Sequence, residues 1–369
     1  MATDRRQARD AFLATAGWDD ASATPVAGDA STRLYERLAK EGQSTILMDA
    51  PPGPDGPPVK DGKSYSAIVH LAEDMRPFAA IARHLTQHGF SAPEIFAQDL
   101  TQGFLLLEDL GDGVFAARID SGDSEEELYG GATDVLAALH ALPAPTSLGC
   151  GDDGAPHIVP PYDDTALMTE AELLPSWYAR LAFGEDLDAT AQADFHAAWT
   201  QVLPKARAAA DVLLLRDYHS PNLLVLDDRS GLKRIGIIDF QDAVIGPAAY
   251  DVASLLQDAR RSVPADIEAQ LLARYEAART AQNAGFDADA FRAAYAIMGA
   301  QRNTKIIGIF ARLLLRDGKP GYLKHIPRLA DYLARDLAHP ALAPVAAWFE
   351  AHVPLEKIRV PIDPDSVTT

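Results

Sequence analysis

Three oxygen-bearing side chains stand at the ends of short apolar runs in the second half of the chain. Asp217 and Asn222 lie five positions apart in a polar loop between two such runs, and Asp239 follows a third run at 235–238. Magnesium prefers hard oxygen ligands, commonly one or two carboxylates with phosphates and water. Asn222 and Asp239 are therefore predicted metal ligands, and Asp217 is predicted to accept or orient the proton of an attacking hydroxyl. The set fits phosphoryl transfer, in which catalysis consists of positioning and charge neutralisation.

The spacing of these residues matches a kinase signature, D-x-x-x-x-N followed by an apolar residue and D-F. The alternative interpretation is that Asp217 and Asp239 are loop carboxylates that cap turns. We favour the kinase interpretation because both halves of the signature occur, each in the strand context that it requires.

The elements that must position these residues change character along the chain. Strands dominate the first part after a short leading amphipathic helix, and the segment 108–113 is the predicted hinge. Helices are expected at 5–17, 75–88, 125–142, 167–182, 190–210 and through most of 264–350, and strands at the end of 26–38 and at 45–48, 104–107, 212–215, 223–226 and 235–238. This pattern predicts an α+β fold with a small sheet-rich N-lobe (1–108) and a large, mainly helical C-lobe (109–369).

Composition limits the classes of partner. The chain is 48% hydrophobic and 23% charged, which is typical of a globular protein, and its formal net charge is -20. So acidic a surface argues against nucleic acid and against anionic membranes as main partners. Cys150 is the only cysteine, so no intramolecular disulfide is possible. With no signal-like or membrane-spanning apolar run, we expect a cytoplasmic protein with no obligate protein partner.

The motif residues resemble the aminoglycoside phosphotransferase and choline kinase group. The loop of that group commonly reads H-G-D-x-H-x-x-N and its metal strand reads I-D-F or I-D-W, which this chain matches at Asp217, His219, Asn222 and Asp239. The segment 246–251 resembles the group's glycine and downstream aspartate, which braces the catalytic loop. The resemblance covers roughly residues 20 to 330. It implies a bilobal protein-kinase-like fold and the cofactors ATP and Mg²⁺. It also implies that the adenine edge meets the backbone around Leu107, Glu108 and Leu110.

The chain departs from the group's pattern at four positions. Leu215 and Arg216 replace the usual histidine and glycine before the catalytic aspartate. Met48 stands where the group has a phosphate-binding lysine, and Phe78 stands where it has the glutamate partner of that lysine. Losing both members of a buried ion pair is less costly than losing one, because a lone buried charge has no compensation.

A second segment is the predicted replacement for the missing lysine. Gly28 allows close approach, Ser31 and Thr32 can donate hydrogen bonds within an anion-binding backbone nest, and Arg33 supplies positive charge. These four residues are predicted to bind the nucleotide phosphates. The alternative is a plain hairpin, since one glycine and two hydroxyl groups suit any turn.

Further stretches resemble one subgroup, the anomeric sugar kinases of bacterial cell-wall recycling. They are 48–52, 216–219, 239–243, 254–261 and 301–305. This resemblance implies phosphorylation of the C1 hydroxyl of N-acetylmuramate or N-acetylglucosamine, with Arg216, His219, Gln241 and Arg302 as candidate substrate contacts. Each has a plainer alternative. The arginines could form salt bridges, His219 could hold the loop by bonding to backbone, and Gln241 could be a turn residue.

Two other functions remain open at this point. The first is an aminoglycoside, choline or other small-alcohol kinase, which the acidic net charge favours because acidic clefts recruit cations. Arg216 and the basic residues within 302–305 argue against it. The second is a nucleotide-binding pseudokinase that serves as a scaffold. The missing strand lysine motivates that hypothesis, and the intact Asp217, Asn222 and Asp239 argue against it.

Overall fold

Thirteen strands occur in the part of the chain that the computed structural model describes, which comprises residues 2–26, 33–53, 56–151, 155–207 and 211–364. They are β1 (Ser22–Val26), β2 (Leu34–Lys40), β3 (Gln43–Asp49), β4 (Pro58–Lys60), β5 (Lys63–Ser64), β6 (Ile95–Asp99), β7 (Phe104–Glu108), β8 (Ser147–Leu148), β9 (His157–Ile158), β10 (Asp211–Leu214), β11 (Leu223–Val225), β12 (Ile235–Ile237) and β13 (Val244–Pro247). Five of them form one antiparallel sheet in the order β1-β2-β3-β7-β6. The others pair two by two, as β4-β5, β8-β9, β10-β13 and β11-β12.

Helices make up most of the chain after the large sheet. They are α1 (Ala2–Ala16), α2 (Tyr65–Val69), α3 (Arg76–Gln87), α4 (Phe115–Asp120), α5 (Glu125–Leu139), α6 (Asp164–Ala171), α7 (Ala179–Phe183), α8 (Ala189–Ala206), α9 (Ala249–Leu256), α10 (Ala265–Gln282), α11 (Ala288–Asp317), α12 (Ile326–Leu337), α13 (Ala343–His352) and α14 (Leu355–Ile358). The long helix α11 packs against α6, α8, α9 and α12 and so forms the centre of this part. None of the described helices combines the length and the apolarity that crossing a membrane requires.

Both faces of the large sheet are buried along its strand β7, as the apolar run of that strand requires. Alternate side chains of a strand point to opposite faces. Phe104 and Leu106 join a small apolar cluster that α1 covers through Leu13. Leu105 and Leu107 belong to the main core, which also contains α3. The strand therefore links a helix-covered outer layer to the core beneath it.

The hinge after β7 is tied closely to the short sheet β11-β12. The Val225 amide donates to the Gly113 carbonyl at 2.7 Å, and Val114 bridges to Leu224. A Cβ atom on Gly113 would lie 2.6 Å from the Val225 carbonyl oxygen, so only glycine permits this approach. The predicted hinge is thus also the contact that seats the first part of the chain on the site-bearing strands.

The predicted α+β architecture is confirmed, and most predicted elements occur within a few residues of their expected bounds. The helix expected at 167–182 is instead broken into α6, a π-helical turn (Leu174–Tyr178) and α7. Pro175 lies in that turn, and proline has no amide to donate to a helical hydrogen bond. Helix α2 and the strands β1, β4, β5, β6, β8, β9 and β13 were not predicted. The sequence of β13 contains Gly246 and Pro247, which favour turns, and its pairing with β10 overrides that preference.

Candidate active site

The short strand pairs bring the three predicted catalytic and metal-binding residues together. The Asn222 side-chain amide lies between the Asp217 carbonyl oxygen, at 3.0 Å, and the Asp239 carboxylate, at 3.3 Å. The Ile238 amide also donates to the Asn222 carbonyl at 3.0 Å, which fixes the end of β12 against the loop that carries Asp217. The predicted convergence of a loop aspartate with an asparagine and a second aspartate is therefore present.

Backbone strain is concentrated in this site. Arg216 has φ +65° and Asp239 has φ +61°, both in the left-handed region that non-glycine residues rarely occupy. Such a conformation costs about 1–2 kcal/mol per residue and persists only where the surroundings hold it. The glycine that the resemblance places at position 216 suits this conformation. This chain keeps the conformation with a bulky side chain, so other contacts must hold the backbone.

Asp251, on the first turn of α9, helps to keep the backbone at Arg216 in this conformation. Its carboxylate accepts the Leu215 amide at 2.7 Å and the Arg216 amide at 2.9 Å. Ser254, one turn further along α9, donates to the Arg216 carbonyl at 3.1 Å. The prediction that Asp251 braces the catalytic loop is confirmed by these bonds.

A second buried carboxylate, Asp258, holds the other end of the loop. It accepts the Ser220 amide at 3.1 Å and the Ser220 hydroxyl, and it also accepts the Arg260 amide at 2.7 Å. The sequence analysis placed Asp258 in a subgroup-like stretch without giving it a role. The sequence signal for Asp258 was its position seven residues, or about two helical turns, beyond Asp251, just after the same helix.

Arg216 lies in a buried ion cluster with Glu170 and Lys305. The guanidinium, 2% exposed, donates to the Glu170 carboxylate at 2.6 Å, and the Lys305 ammonium lies 2.8 Å from the same oxygen. Arg216 also donates to the Val69 carbonyl at 2.9 Å. Protein groups thus occupy the guanidinium, which favours a positioning role for Arg216 over the predicted substrate contact. Glu170 was not singled out in the sequence because nothing local distinguishes it from other helical glutamates.

This cluster also sets the charge state of Asp217. Burial raises the pKa of the Asp217 carboxyl, but the positive charge of Lys305 and its cationic neighbours outweighs burial and brings the pKa below its ordinary value. Asp217 is therefore ionised at neutral pH. That is the state in which a carboxylate can accept a proton.

Arg33 reaches the site from the segment that precedes β2. Its guanidinium donates to one Asp239 carboxylate oxygen at 3.0 Å, and the Gln241 amide donates to the same oxygen at 3.0 Å. The structure thus places the predicted phosphate-binding cation beside the predicted metal ligand. The other residues of that predicted segment, Gly28, Ser31 and Thr32, lie outside the described residues.

An apolar arrangement stands where the resemblance implies a lysine–glutamate pair. Met48 and Phe78 are both buried in the main core cluster. Phe78 also stacks on Phe240, the neighbour of Asp239, with ring centroids 4.8 Å apart. Aromatic stacking therefore fixes α3 against the loop that carries Asp239, without an ion pair.

The predicted adenine-binding segment lies where β7 leaves the sheet. Leu107 is buried within the sheet, and the Glu108 amide already donates to the Glu94 carbonyl at 2.8 Å. Leu110 lies over β11-β12, where a Cβ atom on Gly236 would come within 3.4 Å of it. Of the three predicted residues, Leu110 is the one beyond the sheet, so the hinge backbone near it is the best placed to meet a base.

The remaining predicted substrate residues, His219 and Arg302, are largely enclosed. The His219 backbone shapes the loop: its amide donates to Asp217 at 3.1 Å, and its carbonyl accepts the Asn222 amide at 2.9 Å. Its side-chain Nδ1 is buried and has no hydrogen-bond partner among the described residues. Arg302 is buried on α11, and its guanidinium donates to the Gln257 carbonyl at 3.4 Å.

The donor set suits magnesium rather than a metal held by the protein alone. Within the described ranges, no three His, Cys, Asp or Glu side chains gather closely enough to bind a metal. Asn222 and Asp239 each carry a hard oxygen ligand, and their side chains are in contact. Magnesium sites of that type take their other ligands from phosphate groups and water.

Comparison with known proteins agrees with this geometry. A model of the phosphotransferase enzyme family matches residues 22–293. The N-acetylmuramate/N-acetylglucosamine kinase of Caulobacter vibrioides is 42% identical, with 97% of this chain and 99% of that protein covered. The kinase of the same name from Pseudomonas putida is 37% identical, with 85% and 82% covered.

The fold is also that of kinases with solved structures. The choline kinase LicA from Streptococcus pneumoniae superposes with a TM-score of 0.56 at 12% identity, covering 89% of this chain and 99% of that one. The predicted bilobal, kinase-like fold is confirmed. Both the family match and the two close relatives lead to the same assignment: the chain belongs to the phosphotransferase enzyme family.

Proposed function

We propose that this protein uses ATP and Mg²⁺ to phosphorylate the anomeric C1 hydroxyl of N-acetylglucosamine or N-acetylmuramate, in the cytoplasmic recycling of peptidoglycan. The observation that carries the proposal is the meeting of Asp217, Asn222 and Asp239 at the strand ends. The substrate class is supported by the names of the two relatives, which cover most of this chain. In this proposal residues 1–108 form the N-lobe that binds nucleotide, and residues 109–369 form the C-lobe that carries the catalytic loop and the sugar.

Asp217 is the proposed base. It would accept the proton of the attacking hydroxyl while the loop bonds to Asp251 and Asp258 hold it in place. A carboxylate with a lowered pKa is a weak base, which would be poorly matched to an ordinary alcohol. An anomeric hydroxyl is more acidic than other sugar hydroxyls, so the chemistry of Asp217 suits position C1.

Asn222 and Asp239 are the proposed magnesium ligands. The ion, when bound with ATP, neutralises charge on the phosphate oxygens. Arg33 already contacts Asp239, and its planar guanidinium is suited to bind phosphate oxygens in pairs. Gly28, Ser31 and Thr32 are proposed to complete the phosphate-binding segment, and the hinge backbone at Leu107, Glu108 and Leu110 to bind adenine. His219, Gln241 and Arg302 are the proposed substrate-side residues.

A substrate screen tests the proposal directly. We expect ADP release that depends on Mg²⁺ and on either amino sugar, and phosphorus NMR of the product should show a C1 phosphate rather than a C6 phosphate. Turnover with aminoglycosides or choline in place of the sugars would instead support the small-alcohol kinase. If sugars, amines and aminoglycosides all fail to promote ATP consumption, the pseudokinase hypothesis replaces this one.

Replacing Arg33 by alanine tests the proposed phosphate contact. We expect the KM for MgATP to rise about tenfold, which corresponds to about 1.4 kcal/mol of lost binding, because charge-assisted hydrogen bonds to phosphate would be lost. The KM for the sugar should change little. Arg9→Ala is the matched control, since Arg9 pairs with Glu36 on the outer side of β2. Initial rates at varied MgATP measure both variants, and an unchanged KM in Arg33→Ala would remove Arg33 from the phosphate site.

A further inference from the structure

A cleft of about 450 Å³ opens beside the candidate metal ligand. Its lining comes from three separate stretches of the chain, within 66–77, within 155–160, and at Gln241 and Ala243. Gln241 connects the cleft to the catalytic centre, because its amide nitrogen donates to Asp239 at 3.0 Å. A molecule in this cleft would therefore lie next to the residues that are proposed to transfer the phosphoryl group.

Three residues of the lining carry a buried polar atom for which the described part of the chain provides no hydrogen-bond partner. Gln241 Oε1, His70 Nε2 and His157 Nε2 have no hydrogen-bond partner among the described residues. Gln241 as a whole is only 3% exposed. Folded proteins seldom leave buried polar atoms unmatched, so three of them around one cleft call for a polar ligand or ordered water.

The position of His70 is fixed relative to the catalytic centre from both sides. The preceding carbonyl, of Val69, accepts the Arg216 guanidinium at 2.9 Å, and the Ala72 amide donates to the Asp242 carboxylate at 2.6 Å. His70 itself has φ +58°, a conformation that is costly for a non-glycine residue. The buried arginine thus does two things: it supports the catalytic loop, and it attaches the end of α2, with His70, to that loop.

The chemistry of the lining suits an uncharged polar ring. Burial lowers the pKa of both His70 and His157, so each is a neutral imidazole that offers one donor and one acceptor. Arg76 and Asp74, which also line the cleft, are paired with each other at 2.9 Å. Their charges cancel, and Glu73, the other charged residue of the lining, adds a single negative charge. Hydroxyl and amide groups match these partners better than a polycation does.

We infer that this cleft is the amino-sugar site, and that Gln241, His70 and His157 hydrogen-bond the ring hydroxyls and the acetamido group of the acceptor. The inference rests on the proposed function and extends it to His70 and His157, which no motif in the sequence distinguishes. His157 is the most informative position, because the described contacts of Asp239 come from Arg33, Asn222 and Gln241 and do not include it.

Calorimetric titration of the full chain with N-acetylglucosamine tests the inference. We expect His157→Ala to bind the sugar about tenfold more weakly, the equivalent of about 1.4 kcal/mol, with unchanged affinity for MgADP. Gln241→Leu should also weaken sugar binding and provides a second variant if the first unfolds. His196→Ala, at an exposed position on α8, is the matched control and should bind the sugar normally.

The possible outcomes distinguish a wrong assignment of the cleft from a wrong proposed function. If the wild type phosphorylates the sugar and folded His157→Ala and Gln241→Leu both bind it with wild-type affinity, the cleft is not the sugar site, while the kinase assignment stands. If the wild type neither binds nor phosphorylates either amino sugar, the proposed function fails and this inference fails with it.

Discussion

Replacing Asp217 by asparagine should lower kcat by about 10²- to 10⁴-fold, the usual contribution of a general base. The variant keeps the shape of the side chain but cannot accept the proton. The loop should survive the change, because Asp217 shapes it through its backbone: its amide donates to Leu215 at 2.8 Å, and its carbonyl accepts from Asn222 at 3.0 Å. Initial-rate kinetics give kcat, and calorimetry should show wild-type affinity for MgADP.

Asp211→Asn is the matched control for this experiment. Asp211 begins β10, the strand that leads to the catalytic loop, but it is exposed at the far end of that strand. Its variant should have wild-type kcat. Activity in Asp217→Asn within a few-fold of the wild type would contradict the assigned role, whereas lost MgADP binding would show that the substitution had disrupted the site more widely.

The pH dependence of kcat in the wild-type protein also tests the role of Asp217 as the base. The base is active when deprotonated, and the pKa of Asp217 is lowered from its ordinary value. The acid limb of kcat that Asp217 controls should therefore have its midpoint below the ordinary aspartate pKa of about 3.9. A limb near pH 6 would point to a different titrating group.

Replacing Glu170 by glutamine should destabilise the fold by about 3–5 kcal/mol, the usual cost of removing one partner from a buried ion pair. The loss would leave the cations of Arg216 and Lys305 in the interior without their shared counter-charge. Tyr162, which donates to the same carboxylate, would lose a charged acceptor. Urea unfolding at neutral pH measures the change in free energy of unfolding.

Glu172→Gln provides the matched control, since Glu172 ends the same helix and is only half-buried. Its free energy of unfolding should stay within about 0.5 kcal/mol of the wild type, as is usual for a surface change. A similarly small effect for Glu170→Gln would show that the cluster does not stabilise the fold.

The effect of Glu170→Gln should also depend on pH. Burial raises the pKa of Glu170, but the charges of Lys305 and Arg216 outweigh it, so the pKa in the folded state lies below its ordinary value. The stabilisation is then fully present above the ordinary glutamate pKa of about 4.3 and is lost as pH falls through the lower folded-state value. The stability difference between wild type and variant should therefore shrink only in that acidic range.

Local patterns accounted for much of the fold and for the centre of the site. The apolar runs of β3, β7 and β10–β12 and the periodicity of α3, α5, α8 and α11 predicted those elements well. Helix α2 and the strands β1, β4, β5, β6, β8, β9 and β13 were missed, and the break after α6 was not foreseen. These elements are short, and several of them contain turn-forming residues or alternate only weakly. In β13 the pairing with β10 decides the conformation, and that pairing is not visible in its own residues.

The amino-acid sequence by itself determined which side chains meet at the catalytic loop. Asp217 and Asn222 share one short loop, which leads into β11. Asp239 lies just after β12, the strand that pairs with β11, so local geometry is enough to bring the three residues together. It also determined that the lysine–glutamate pair is absent, because both replacements, Met48 and Phe78, are apolar.

Only the tertiary structure decided what surrounds that centre. Arg216 pairs with Glu170, 46 positions away, and Arg33 with Asp239, 206 positions away. His70 and His157 face one cleft from different segments. Contacts between distant segments depend on how helices and sheets pack. The polar residues that form such contacts are therefore not marked by any regular spacing in the sequence. The proposed catalytic residues were therefore visible in the sequence. The groups that set their charge, that hold their backbone conformation and that line the adjoining cleft were not.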